Sequence, residues 1–141
     1  MKIIPLTAEY IVNNWPAIES LEKSSGLTPT WNKDNFINEL PKKWLLSRAL
    51  IIDGNLTGYI VVSEKSAHCI HIHRLVIAPL LQKHGFGTEL MQDVINTEKQ
   101  KYDFISLKSW SDAAKTFYQK FDFSILWDNE EHPLMLKLLK K

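Results

Sequence analysis

Residues Gln82 to Thr88, QKHGFGT, hold two glycines at G-x-G spacing between an apolar run, Leu75 to Pro79, and a segment with helical apolar spacing, Glu89 to Gln100. At a strand-to-helix junction such glycines let the backbone approach a ligand closely. The first N–H groups of the helix, which have no carbonyl partner within it, then point at an anion. The chemistry on offer is a phosphate or pyrophosphate cradle, although a tight turn before a helix uses glycine too. His68, His71 and His73 raise the question of a metal site. The two-residue period of a strand puts only His71 and His73 on one face, and no acidic or cysteine ligand flanks them at useful spacing, so no metal is expected. The single cysteine, Cys69, leaves no disulfide framework and no cysteine-rich metal site. It reads as a buried, inert thiol rather than an acyl-accepting nucleophile.

The elements that must position these residues follow from periodicity and breakers. Lys2 to Pro5 reads as a strand. Thr7 to about Glu22 reads as a helix, with Tyr10, Ile11, Trp15, Ile18 and Leu21 on one face and Pro16 either kinking or splitting it. Asn32 or Asp34 can cap a second helix through Leu40, stopped by Pro41. Trp44 to Ile52 and Thr57 to Ser63 read as strands joined by the hairpin signal Asp53-Gly54-Asn55, and His68 to Ile77 as a third strand before the glycine turn. After the Glu89 to Gln100 helix come a strand at Phe104 to Lys108, a helix at Ser111 to Phe121, and strands at Phe123 to Trp127 and Pro133 to Leu138. The expected fold is α/β in the mixed, α+β sense, with a largely antiparallel central sheet of about seven strands flanked by about four helices.

With 141 residues, 45% hydrophobic and 23% charged, the chain fits one domain, 1–141, able to bury a core without staples. A net charge of +1 and a pI near 7.8 give no basic field of the kind a dedicated nucleic-acid binder carries, so no nucleic-acid partner is expected. Pro5 and Glu9 interrupt the N-terminal run, and no stretch approaches the roughly 18 apolar residues of a membrane span. No membrane partner is expected, and the cytoplasm is the expected compartment.

The run LVIAPLLQKHGFGTELM resembles the acetyl-CoA-binding signature of the GCN5-related N-acetyltransferase (GNAT) family, V-x-P followed by Q/R-x-x-G-x-G/A. It matches at Ile77, Pro79, Gln82, Gly85 and Gly87. Downstream, Ala114, Phe117, Tyr118, Phe121 and Phe123 resemble the family's A-x-x-F-Y-x-x-x-G-F block. Two motifs in the family's order, on the elements where the family carries them, are far more specific than the glycines alone.

The resemblance implies a fold of the acyl-CoA N-acyltransferase type and acetyl-CoA as cosubstrate. Leu75, Val76 and Ile77 are then expected to pair with the pantetheine arm where the strand splays from its neighbour. Gln82 and the turn residues Lys83, His84, Gly85, Phe86, Gly87 and Thr88 are expected to hold the pyrophosphate through fixed N–H dipoles. Lys83 can add a charge to a phosphate or remain a solvated lysine. A backbone N–H near Ile77 would polarise the thioester carbonyl, and Tyr118, at the position of the family's tyrosine beside the sulfur, would protonate the departing thiolate. The other reading of Tyr118 is a core aromatic. Where family members often carry a basic glutamate, about six residues before Ile77, this chain has His71, with His73 on the same face. A neutral imidazole of ordinary pKa, near 6.5, can accept a proton at neutral pH.

Two departures stand out. Ser111 replaces the family's asparagine seven residues before the tyrosine, which keeps a helix cap and puts a cofactor contact in question. Asp122 replaces the glycine of the second block, and aspartate tolerates a left-handed turn. The family's acceptor slot would here be lined by Trp15, Trp31, Trp127, Asp128, Glu130 and Glu131. Such a set suits a cationic amine, although the acidic run also reads as a solvated hairpin loop. The expected function is direct acetyl transfer from the thioester to a primary amine of a small molecule or an exposed protein amine. The alternative is a CoA-binding or interaction module of the same fold with weak or lost chemistry. A homodimer is the family's common habit.

Overall fold

The computed structural model describes residues 1–127 and 133–139. Within them runs one seven-stranded sheet, in the order β1-β2-β3-β4-β5-β7-β6. Its strands are β1 (Lys2–Pro5), β2 (Arg48–Ile52), β3 (Asn55–Ser66), β4 (Cys69–Ile77), β5 (Phe104–Lys108), β6 (Ser124–Trp127) and β7 (Leu134–Leu138). Every neighbouring pair is antiparallel except β4 and β5, which are parallel. A parallel pair needs a crossover, and the helix α5 (Phe86–Glu98) supplies it. The expected sheet is therefore present, strand for strand.

Two apolar clusters lie on its two faces. Leu90, Met91, Val94 and Ile95 of α5 pack on Ile60, Ile70, Ile72, Ile77 and Ile105, because apolar residues at helical spacing meet alternate strand residues. On the other face Ile11, Ile18 and Phe36 pack on Tyr59, Val61 and Val76, bringing α1 (Ala8–Asn13), α2 (Trp15–Ser24) and α3 (Lys33–Ile37) against the sheet.

The first helix is split, one of the two outcomes expected at Pro16, which stands at the second position of α2, where a missing N–H costs nothing. The structure departs from the sequence expectation in two places. Residues Trp44 to Leu46, expected in a strand, form the short helix α4 (Lys43–Leu46). Lys43 is 1% exposed, and its ammonium donates to the carbonyls of Phe36 at 2.5 Å and Asn38 at 3.0 Å. That anchor draws the chain after Pro41 into a turn, which outweighs the local strand propensity. Burial lowers the pKa of Lys43 to about 8. Second, α5 begins at Phe86 rather than Glu89, so the end of the glycine turn is itself the first turn of the helix. With α6 (Asp112–Gln119), the described residues form six α-helices where about four were expected; the additional ones are the short pieces α1 and α4.

One irregularity governs the site. Along β3 and β4, Val61 pairs with Arg74 and Val62 with Ile72, so His73 is an extra residue on β4, a β-bulge. His73 and Arg74 therefore both face α2 and α3, while Leu75 and Ile77 return to the α5 face.

Candidate active site

Pairing of β4 with β5 runs only from Cys69↔Phe104 to Ile72↔Leu107, so the half of β4 beyond the bulge leaves its β5 side open. A bulge bends its strand and increases the local twist, which accounts for the splay starting at His73. The wedge between the two strands is a cleft of about 840 Å³. Leu75, Val76 and Ile77 line it, as do Gln82, Lys83, Gly85, Gly87 and Thr88 of the turn, Ser111 and Tyr118 of α6, and His73. His71, His84 and Phe86 do not.

The turn is shaped to receive an anion. Lys83 and Gly85 both have left-handed backbones, with φ of 66° and 85°. The first intrahelical bond of α5 is Glu89 N–H to the Gly85 carbonyl at 3.0 Å, which leaves the N–H groups of Phe86, Gly87 and Thr88 without a helical acceptor. These N–H groups and the positive end of the helix dipole converge where the cleft meets α5. A Cβ at Gly87 would come within 3.4 Å of the Phe117 ring, so glycine keeps α5 and α6 close. The Gln82 amide donates to the Ile77 carbonyl at 3.2 Å and braces the end of β4.

Across the cleft, Ser111 caps α6 by accepting from Ala114 N–H at 3.0 Å, and Asp122 takes the left-handed conformation, φ 68°, expected where a glycine is replaced. Tyr118 is half-buried, its ring edge-on to Phe117 and Phe123, and burial pushes its hydroxyl above the ordinary phenol range. The group stays protonated at neutral pH and is a donor, not a base.

The two histidines of the bulged face meet with ring centroids 4.9 Å apart. His73 Nε2 lies 2.7 Å from Ser63 Oγ, and His71 Nδ1 lies 2.8 Å from Ser106 Oγ. Burial lowers both to about 4, and for His73 the nearby cations Lys43 and Arg74 add to the effect. Both rings are neutral acceptors at pH 7, weaker as bases than an ordinary histidine. His68 turns away to Asp103, 3.0 Å from its carboxylate, and Cys69 sits 3.6 Å from Ser106 Oγ, outside the cleft lining.

Sequence reasoning missed a buried group that reaches the cleft wall through Arg74. Glu22, Tyr59 and Arg74, each 3% exposed or less, form one cluster. Tyr59 donates to Glu22 Oε1 at 2.7 Å, and Arg74 Nε lies 3.2 Å from Glu22 Oε2. The partners are 52 positions apart in the chain, and no local pattern joins them. Of the expected acceptor residues, Trp31 backs the cleft wall against His73, with centroids 6.2 Å apart, and Trp15 packs on Phe36. Asp128, Glu130 and Glu131 lie outside the described residues, as does the side chain of Trp127.

Comparison with known proteins places this geometry. No curated protein matches the chain in sequence. Among solved structures, the ribosomal-protein-S18-alanine N-acetyltransferase from Escherichia coli superposes with a TM-score of 0.81 at 14% identity, covering 99% of this chain and 94% of that one. PaiA N-acetyltransferase from Thermoplasma acidophilum in complex with coenzyme A gives 0.81 at 16% identity, over 97% and 98%. Naa50 from Arabidopsis thaliana in complex with the bisubstrate analogue CoA-Ac-MVNAL gives 0.74 at 15% identity, over 96% and 97%. At such identities the likeness is one of fold. The family model described as acetyltransferase (GNAT) domain matches residues 29–132, nearly three quarters of the sequence and all of the cleft from His73 to Tyr118, and the chain therefore belongs to the GNAT acetyltransferase family.

Proposed function

We propose that the protein is an acetyl-CoA-dependent N-acetyltransferase that moves the acetyl group directly to a primary amine, on a small molecule or an exposed protein amine, in the cytoplasm. The observation that carries this reading is that one cleft joins an open strand edge, Leu75 to Ile77, to an anion cradle, Gln82 to Thr88, and to the phenol of Tyr118. Acetyl-CoA is the cosubstrate. Its pyrophosphate meets the N–H groups of the α5 first turn, and its pantetheine arm hydrogen-bonds along β4 as an added strand does.

In this reading the amine nitrogen attacks the thioester carbonyl, whose oxygen is stabilised by a β4 backbone N–H near Ile77. A carbon–nitrogen bond forms, the carbon–sulfur bond breaks, and Tyr118 hydrogen-bonds to and protonates the leaving sulfur. The proton released by the amine passes to His73, directly or through water, and His71 stands behind it. Because His73 holds its charge poorly, it passes that proton on to solvent, and Tyr118 regains from solvent the one it gave to the sulfur.

Calorimetry with acetyl-CoA and with CoA, followed by a thiol-release assay over a panel of amines, tests the proposal. Binding of both, with thiol release dependent on an amine, is the expected result. Binding without turnover on any amine would reassign the chain as a CoA-binding module, and absence of binding would overturn both.

A further inference from the structure

The cleft is also lined by Ser25 and Leu27, in the segment between α2 and α3, and by Arg74 of β4. Within that segment the hydrogen bonds are short-range: Ser25 Oγ donates to the Glu22 carbonyl and accepts from Leu27 N–H. Buried side chains tie it to the rest of the fold, Glu22 and Arg74 by hydrogen bonds and Lys43 through its ammonium 5.8 Å from the centre of the Trp31 ring. Trp31 N–H donates to Glu22 Oε2 at 3.0 Å. Arg74 Nη2 donates to the Pro29 carbonyl at 2.6 Å, and its guanidinium lies 4.5 Å from the centre of the Trp31 ring.

Arg74 belongs to β4, next to the bulge and within the stretch beyond Ile72 that β5 leaves unpaired. The bulge turns it toward α2, so the strand that presents the donor also grips the segment that walls the acceptor. Because isolated buried ion pairs contribute little net stability, their bonds to third parties are the informative part. Here those bonds converge on residues 29 and 31.

Resting on the acetyl-transfer reading above, we propose that the Glu22–Arg74 pair holds the acceptor wall in register with the thioester, and that Arg74 is a positioning residue for acceptor specificity. Lysine at position 74 keeps the charge and loses both the guanidinium's contact with the Trp31 ring and its bond to Pro29.

The test compares wild type with Arg74→Lys and Trp31→Leu. In both variants the KM for the acceptor should rise about tenfold, as expected for losing one charge-assisted or stacking contact, while the KM for acetyl-CoA and kcat stay within about threefold. Amide exchange over residues 27–32 should speed up by a similar factor while the first turn of α5 is unchanged. A parallel rise in both KM values, or an unchanged acceptor KM with unchanged exchange, would overturn the proposal. If the wild type turned over no amine, the acetyl-transfer reading would fail alone. The exchange measurement would still decide whether Arg74 holds this wall: faster exchange in the variants supports the clamp, and unchanged exchange removes it.

Discussion

Tyr118 and the two histidines have opposite responses to burial, and that difference sets what each can do. Burial disfavours whichever form is charged, so the phenol keeps its proton and the imidazoles lose theirs. Tyr118→Phe should lower kcat about 10²-fold or more while the Kd for CoA changes no more than a few-fold, since the hydroxyl acts on the departing sulfur. Calorimetry beside steady-state kinetics checks this, and equal losses in both would make Tyr118 a packing residue. For the histidines the sign is fixed by linkage. Their folded values, about 4, lie below the ordinary 6.5, so between those limits the unfolded chain binds more protons. Stability is full above about pH 6.5 and declines as pH falls toward 4, by about 3 kcal/mol at most for either ring. Urea unfolding at pH 7 and pH 4.5 should show a smaller loss in a His71→Asn, His73→Asn double variant than in wild type. The same shift predicts that kcat/KM has no inflection near pH 6.5; a clear one there would place an ordinary histidine in the proton path.

At the scale of elements, β4 is legible as a strand and the glycine turn as a strand-to-helix junction because each is written in consecutive residues: an apolar run, then G-x-G, then helical spacing. The helix that brings Tyr118 to the cleft is legible for the same reason, within one block. The helix start was read three residues late, since glycine disfavours helix interiors and Gly87 hides the first turn. The short helix α4 was missed because Trp44 to Leu46 is an apolar run without periodicity, and the tie that bends it runs from the Lys43 ammonium of α4 to the Phe36 carbonyl of α3. Nothing local marks the bulge or the Glu22–Arg74 pair, which exist only once distant strands and helices meet. Gly58 also acquires its meaning there. A Cβ on it would lie 2.6 Å from the Val76 carbonyl oxygen and 2.7 Å from Ile77 Cδ1. Because the obstacle includes backbone of the donor strand, Gly58→Ala should cost about 1–3 kcal/mol and weaken acetyl-CoA binding, as read by denaturation and calorimetry. Wild-type affinity in that variant would mean β4 can shift without consequence for the site.

The whole molecule is two antiparallel leaves, β1 to β4 and β5 to β7, joined by four parallel residue pairs and the α5 crossover. The family's fold explains the joint, and the proposed function puts acetyl-CoA in the wedge beyond it. No helix among the described residues is long and apolar enough to cross a membrane. At the tip of the joint sits His73, and the ladder with β3 can be counted without it. Ile72 and Arg74 pair with adjacent residues, and side chains would still alternate correctly if position 73 were absent. At this point β4 thus carries one amino acid more than its pairing with β3 requires. Removing that surplus, a single-residue deletion rather than a substitution, should give a folded protein melting no lower than His73→Ala, with acetyl-CoA affinity reduced at least about tenfold because β4 can run straight alongside β5. Thermal melts and calorimetry on the two variants check it, and a deletion that unfolds or still binds would contradict it. If it holds, the catalytic opening of this fold is an insertion tolerated by the sheet, and activity is the return on a defect in regularity.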